Sequence, residues 1–126
     1  MLLYEELSNK VIRAYYNVLD ALGTGLLEKV YENAMCIELE EMGIPFEQQK
    51  TMTVTYKGRK IGDYVADIIV DNKIILELKA IPFLTAINTA QLINYLTITG
   101  CKVGYLLNFG EKTEFKRVIR KGALDE

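Results

Sequence analysis

Two short strings carry the chemistry this chain could perform. One is Asp67 within Tyr64-Val-Ala-Asp-Ile-Ile-Val70; the other is Glu77-Leu78-Lys79 within Ile74-Ile-Leu-Glu-Leu-Lys-Ala-Ile81. Both set charged residues in apolar runs, where an ionised group is costly unless a partner or an ion satisfies it. Two carboxylates without histidine suit Mg²⁺ or Mn²⁺, hard cations that keep several waters and favour phosphate substrates. A lysine beside such a cation can orient or deprotonate a water for in-line attack on phosphorus and stabilise the developing charge. The same residues also fit a Glu77–Lys79 ion pair at a strand end, with Asp67 accepting hydrogen bonds near a turn. The triplet alone is weak, since acid-x-Lys recurs at Asp71-Asn-Lys73 and Glu114-Phe-Lys116. Its place in an apolar strand beside an acidic strand is what raises it.

Composition narrows the chemistry further. The 126 residues contain no histidine, which excludes Ser-His-Asp and Cys-His catalysis, imidazole bases and zinc sites built on His ligands. Cys36 and Cys101 lie too far apart for a Cys-x-x-Cys motif and read as small buried hydrophobes in a reducing compartment. The formal charge of −2 hides an asymmetry. Residues 1–50 carry four basic and nine acidic side chains, and residues 51–126 carry eleven and eight. Basic residues gather at Lys57, Arg59 and Lys60 and again at Lys112, Lys116, Arg117, Arg120 and Lys121. Charge alone favours solvated surface over phosphate contact there, given a pI near 5.3. An acidic start without a signal-like apolar run, and no apolar stretch of membrane-spanning length, lead us to expect a cytoplasmic protein with no membrane association.

The elements that must position these residues follow from periodicity. Leu7, Val11, Ala14 or Tyr15, Val18 and Leu22 recur at helical spacing until Gly23-Thr-Gly25, and Leu27, Val30, Ala34 and Ile37 repeat the pattern until Gly43-Ile-Pro45. From Glu47 the period shortens to two, Met52, Val54 and Tyr56 alternating with polar residues, and Lys57-Gly58 is a hairpin turn. Strands are expected over Ile61–Val70 and Lys73–Ala80, a helix over Thr85–Thr99 capped by Gly100, then a buried strand over Lys102–Asn108 and a more polar one through Arg120. The order ααβββαββ, with no repeat or linker, describes a single α/β domain over residues 1–126. Parity adds a condition: Asp67 and Glu77 share a face of a regular antiparallel hairpin only if an odd number of residues connects the strands, for example Asp71–Lys73.

Gly25-Leu-Leu-Glu28-Lys-Val-Tyr31 resembles the motif for which the GxxExxY proteins are named, assigned to the PD-(D/E)XK nuclease-like superfamily. The similarity runs from about Val11 to Gly110 through Gly23-Thr-Gly25, Tyr64-Val-Ala-Asp67, Leu76-Glu-Leu-Lys79, Gln91-Leu-Ile-Asn-Tyr95 and Leu107-Asn-Phe-Gly110. The resemblance implies a restriction-endonuclease-like three-layer core, a central mixed sheet flanked by helices. It places Asp67, Glu77 and Lys79 in the Asp…Glu-x-Lys positions, Glu28 near the metal, Gln91 facing the site and Tyr95 one turn along. Asp67, Glu77 and the carbonyl of Leu78 are then the expected Mg²⁺ or Mn²⁺ ligands, with Lys79 on the attacking water and Glu28 and Gln91 in support. Ala66 stands where the superfamily's name has proline, and Leu19 where family members often carry a histidine. The expected activity is hydrolysis of phosphodiester bonds in nucleic acid, DNA ahead of RNA. The small, net-acidic chain needs a homodimer or a partner protein to extend its binding face. The alternative is a non-catalytic nucleic-acid-binding or protein-interaction module on the same fold.

Overall fold

A computed structural model of the protein describes residues 2–123. The elements are α1 (Glu5–Leu22), α2 (Glu28–Glu41), β1 (Phe46–Tyr56), β2 (Arg59–Val70), β3 (Ile74–Lys79), α3 (Ala86–Thr99), β4 (Val103–Asn108) and β5 (Glu114–Ile119). The five strands form one mixed sheet in the order β1-β2-β3-β4-β5, antiparallel except for the parallel β3–β4 pair. A parallel pair needs a crossover, and α3 supplies it. One apolar cluster packs α1 and α2 on one face of the sheet, and a second packs α3 on the other.

Helix α1 buries Val11, Ala14, Tyr15 and Val18, as its spacing predicts, and Gly23 ends it at φ 68. The Tyr15 hydroxyl lies 2.5 Å from the Asn108 carbonyl and 3.1 Å from that of Glu114, tying the helix to β4 and β5. In α2 the buried face differs from the expected one. Leu27, Val30 and Ile37 are exposed, whereas Tyr31, Met35, Cys36 and Leu39 are buried. The i, i+4, i+8 row Tyr31–Met35–Leu39 is the larger apolar stripe, and Tyr31 anchors it. Its ring stacks on Phe109 at 4.5 Å, and its hydroxyl donates to the Gly23 carbonyl (2.7 Å) and accepts from the Leu26 amide (3.1 Å). Tyr31 thus fixes the loop that leads into Glu28, with Gly25 at φ 98 making the turn.

Lys57 and Gly58 both adopt positive φ, 50 and 77, giving a two-residue hairpin turn whose twist suits the strands. Val70 pairs with Ile74 across Asp71, Asn72 and Lys73, so the odd-loop condition is met. Thr85 caps α3 with a full capping box, and Gly100 closes it at φ 78. Both cysteines are free, Cys36 buried and Cys101 partly so. No helix among the described residues is long and apolar enough to cross a membrane.

Candidate active site

Pairing of β2 with β3 stops after Ile68–Leu76. The next register position sets Asp67 opposite Glu77, and there the ladder gives way: Asp67 Oδ2 accepts the Leu78 N–H at 2.9 Å, in place of a strand carbonyl. The sheet changes sense at the same point. Tyr64 and Ala66 pack with α3, whereas Ile68 and Val70, of the same parity, pack with α1 and α2. In β1 the partner position Gln49 has φ 53 and is missing from an otherwise even register, and the switch from Phe46 to Met52 and Val54 mirrors that of β2. Asp67 therefore sits in a fork, a place in a sheet where a side chain can reach a ligand without competing for ladder bonds.

Glu77 is held from the α3 side. The Tyr64 hydroxyl donates to Glu77 Oε1, and the Tyr64 ring stacks on Tyr95 with centroids 3.9 Å apart and planes 13° from parallel. Burial first, and then the negative charge of Asp67, push the Glu77 carboxyl up from its ordinary 4.5 to about 8. Asp67 is raised mainly by burial, against the lowering effect of the Leu78 N–H. Glu28, on the first turn of α2, is raised by burial and by Asp67, with Lys79 opposing. Lys79 shares the parity of Glu77, and Phe109 N–H caps its carbonyl at 2.8 Å. Asp67 and Lys79 thus each bear on both Glu28 and Glu77. Gln91 is exposed on α3, its side chain without a hydrogen bond to any described residue, while Tyr95, one turn on, reaches the site through Tyr64.

Three participants were not expected. Glu32 is buried and accepts from Lys29 Nζ (2.6 Å), Gln48 Nε2 (2.5 Å) and Gln49 Nε2 (2.7 Å), and its charge also acts on Asp67. Its spacing of four from Glu28 was the available signal. Gln49 bears on both Glu32 and Asp67, but its left-handed backbone has no sequence cue. Tyr64 stood three residues before Asp67 with no stated task.

Three carboxylates with raised pKa values, Glu28, Asp67 and Glu77, face two lysines, Lys79 and Lys29, and the second is already paired with Glu32, which leaves the site short of positive charge. A divalent cation would relieve it, and the donors are the hard oxygens Mg²⁺ or Mn²⁺ takes. Among the described residues no three Asp, Glu or Cys side chains are gathered as a ready cage, so the fit is to a cation that keeps several waters on a two-carboxylate base. Beside the site, a cleft of about 420 Å³ opens between Gly25–Leu26, Ala80–Pro82 and Phe109–Glu111, next in sequence to Glu28 and Lys79. A larger cleft of about 700 Å³ lies against the start of α1 and the Asp71–Lys73 turn, at the other end of β3 from Lys79.

The sequence profile of the PD-(D/E)XK nuclease superfamily matches residues 5–118, which include both arms of the fork and both flanking helical layers. The chain belongs to the PD-(D/E)XK nuclease superfamily. Asp67 stands on β2, and Glu77 and Lys79 on β3, the two strands that fork. A solved structure described as the crystal structure of SSO0001 is similar, with a TM-score of 0.57 and 20% identity over 93% of this chain and 60% of that one. This superfamily member thus spans about three fifths of that structure's length, and the likeness is one of fold. Curated proteins give no match.

Proposed function

We propose that the protein is a metal-dependent nuclease of the GxxExxY type that hydrolyses phosphodiester bonds in nucleic acid. The observation that carries this is the pair Asp67 and Glu77, opposed at the fork of β2 and β3, desolvated and mutually repelling, with Lys79 two residues on. Asp67, Glu77 and the Leu78 carbonyl would hold Mg²⁺ or Mn²⁺, which when bound supplies charge to the phosphate oxygens and acidifies water. Lys79 orients the attacking water and stabilises negative charge developing on the phosphate. Glu28 accepts a proton or steadies Lys79, and Gln91, exposed on α3, meets the substrate. Water adds to phosphorus, the bond to the bridging oxygen breaks, and that oxygen leaves with a proton. A homodimer or a partner protein enlarging the binding face belongs to the same reading, and light scattering checks it.

Melting curves test the site. With roughly 10 mM Mg²⁺ or Mn²⁺ and a Kd of roughly 1 mM, stability rises by about 1.4 kcal/mol. Asp67→Ala removes this rise. Lys79→Ala keeps it but loses cleavage of single-stranded, duplex and branched DNA and of RNA. Equal cleavage by wild type and Lys79→Ala would assign the activity to a contaminant, and no metal-dependent rise in wild type would overturn the metal site. The other reading is a binding module on this fold, for which nucleic acid binds without metal-dependent cleavage.

A further inference from the structure

The β1–β2 hairpin is much longer than the sheet it joins. β2 runs from Arg59 to Val70, yet β3 pairs only with its last three residues, Ile68–Val70. Helix α3 covers the overhang as far as Met52, Val54 and Tyr64. Beyond them the tip is bare: Tyr56 is 62% and Ile61 65% exposed. The tip is nevertheless built to hold a shape. Lys57-Gly58 makes the two-residue turn, Tyr56 pairs directly with Arg59, and a bulge at Ile61 lets Thr55 pair with Lys60 while Val54 pairs with Gly62. Three cations fall within four positions there. Lys57 Nζ lies 5.4 Å over the Tyr56 ring, Lys60 meets Asp63 at 3.3 Å in an exposed pair of little strength, and Arg59 has no ion pair with any described residue.

Register settles which way the tip looks. β1 keeps its alternation from Met52 through Val54 to Tyr56, so Tyr56 and its partner Arg59 lie on the face that carries Tyr64, whose hydroxyl holds Glu77. That face runs from Tyr64 beneath α3 and emerges at Tyr56 and Arg59, while Lys60, paired with Thr55, looks out from the other face and Lys57 sits in the turn, so the tip presents cations on both of its faces. From Gln49, opposite Asp67, to Tyr56 is seven residues, roughly 23 Å at ~3.3 Å each. That matches about seven phosphate steps along one strand at ~3.4 Å each.

We propose that this tip, through Lys57, Arg59, Lys60 and Tyr56, is an arm that grips the sugar-phosphate backbone of nucleic acid about seven nucleotides from Asp67 and Glu77. The proposal rests on the nuclease reading for the identity of its ligand. Phosphate contacts supply affinity and register without reading sequence, and an exposed tyrosine beside an arginine offers a stacking surface to an unpaired base. The hairpin that carries Asp67 thereby holds, at its tip, a concentrated place for a polyanion.

Fluorescence anisotropy of labelled 30-nucleotide single-stranded and 30-base-pair duplex DNA, in EDTA and across 20–300 mM KCl, tests it. The variant is Lys57→Asn/Arg59→Gln/Lys60→Gln, in which Asn-Gly preserves the turn; an unchanged melting temperature shows that the hairpin stands. Wild type binds at least one DNA. The triple variant binds about tenfold or more weakly at 50 mM KCl, with a salt slope smaller by about two to three. Unchanged affinity and slope in the triple variant, no binding by wild type at 20 mM KCl, or equal arm-dependent binding of polyglutamate would each overturn the arm. Cleavage read in parallel separates the two claims: metal-dependent cleavage with an indifferent triple variant defeats the arm alone, and arm-dependent binding without cleavage defeats the nuclease reading alone.

Discussion

Replacing Glu77 by glutamine separates what this residue does for folding from what it does for a ligand. The shape is conserved, and the Tyr64 hydroxyl can still donate to the amide oxygen. The charge is removed. With a carboxyl at about 8 when folded and about 4.5 when unfolded, the folded state binds the proton more tightly. Its favourable contribution is therefore complete below about pH 4.5 and is lost as pH rises toward 8. At pH 7 the loss from this group is on the order of 3 kcal/mol, and it levels off above pH 8. The measurement is urea unfolding of the metal-free proteins in EDTA from pH 5 to pH 9. Near pH 5 the two should agree to within about 1 kcal/mol, and at pH 7 Glu77→Gln should be the more stable by about 3 kcal/mol, roughly 10 °C in melting temperature for a domain of this size. Added Mn²⁺ should then stabilise wild type increasingly as pH rises, because the carboxylate must shed its proton to bind, and should leave Glu77→Gln unmoved. Parallel pH profiles for the two proteins, or a variant less stable at pH 8, would refute the account of Glu77 as a desolvated, repelled acid.

Two further substitutions probe what holds the site. Tyr64→Phe keeps the stack on Tyr95 but removes the donor to Glu77; it should cost about 1–2 kcal/mol of metal-free stability and weaken Mn²⁺ binding severalfold by titration calorimetry, and no change in either would deny Tyr64 a positioning role. A Cβ on Gly110 would overlap the Ile81 backbone, so Gly110→Ala should destabilise by about 3 kcal/mol or more in urea; a loss under about 1 kcal/mol would show that the Ala80–Pro82 segment yields freely.

Much of this arrangement could be read from residue order because it depends on local rules. Two-residue periodicity and turn chemistry located the hairpin at Lys57-Gly58; parity gave the condition on which Asp67 and Glu77 share a face, and the structure meets it by starting β3 at Ile74, one residue later than the expected Lys73. Helix α2 resisted for a stated reason. Leu27, Val30, Ala34 and Ile37 have helical spacing too, and the Tyr31–Met35–Leu39 stripe that turns inward instead is anchored by the stack of Tyr31 on Phe109, 78 positions away. That rotation matters to the site, because it places Glu28 and Glu32 where Asp67 feels them. Gln49 could not have been found at all: a glutamine at φ 53 inside a strand has no local preference for it, and the sheet on either side imposes it.

The fork explains why charge can persist in such apolar strands. A regular ladder would have consumed the backbone groups around Asp67 and alternated the side chains away from one another. Instead, pairing of β2 and β3 ends one step early, Asp67 takes over the Leu78 N–H, and the left-handed Gln49 reverses the faces of β1 and β2 at the same level. Each departure removes a regular interaction, and each leaves a carboxylate oxygen near another with little positive charge to answer it. Such an arrangement is costly to a protein that only has to fold, since apolar residues at 67 and 77 would extend the core. It is consistent with a site whose missing charge arrives with its ligand, and the opposite responses expected of Glu77→Gln with and without Mn²⁺ are where that cost and that purpose can be told apart.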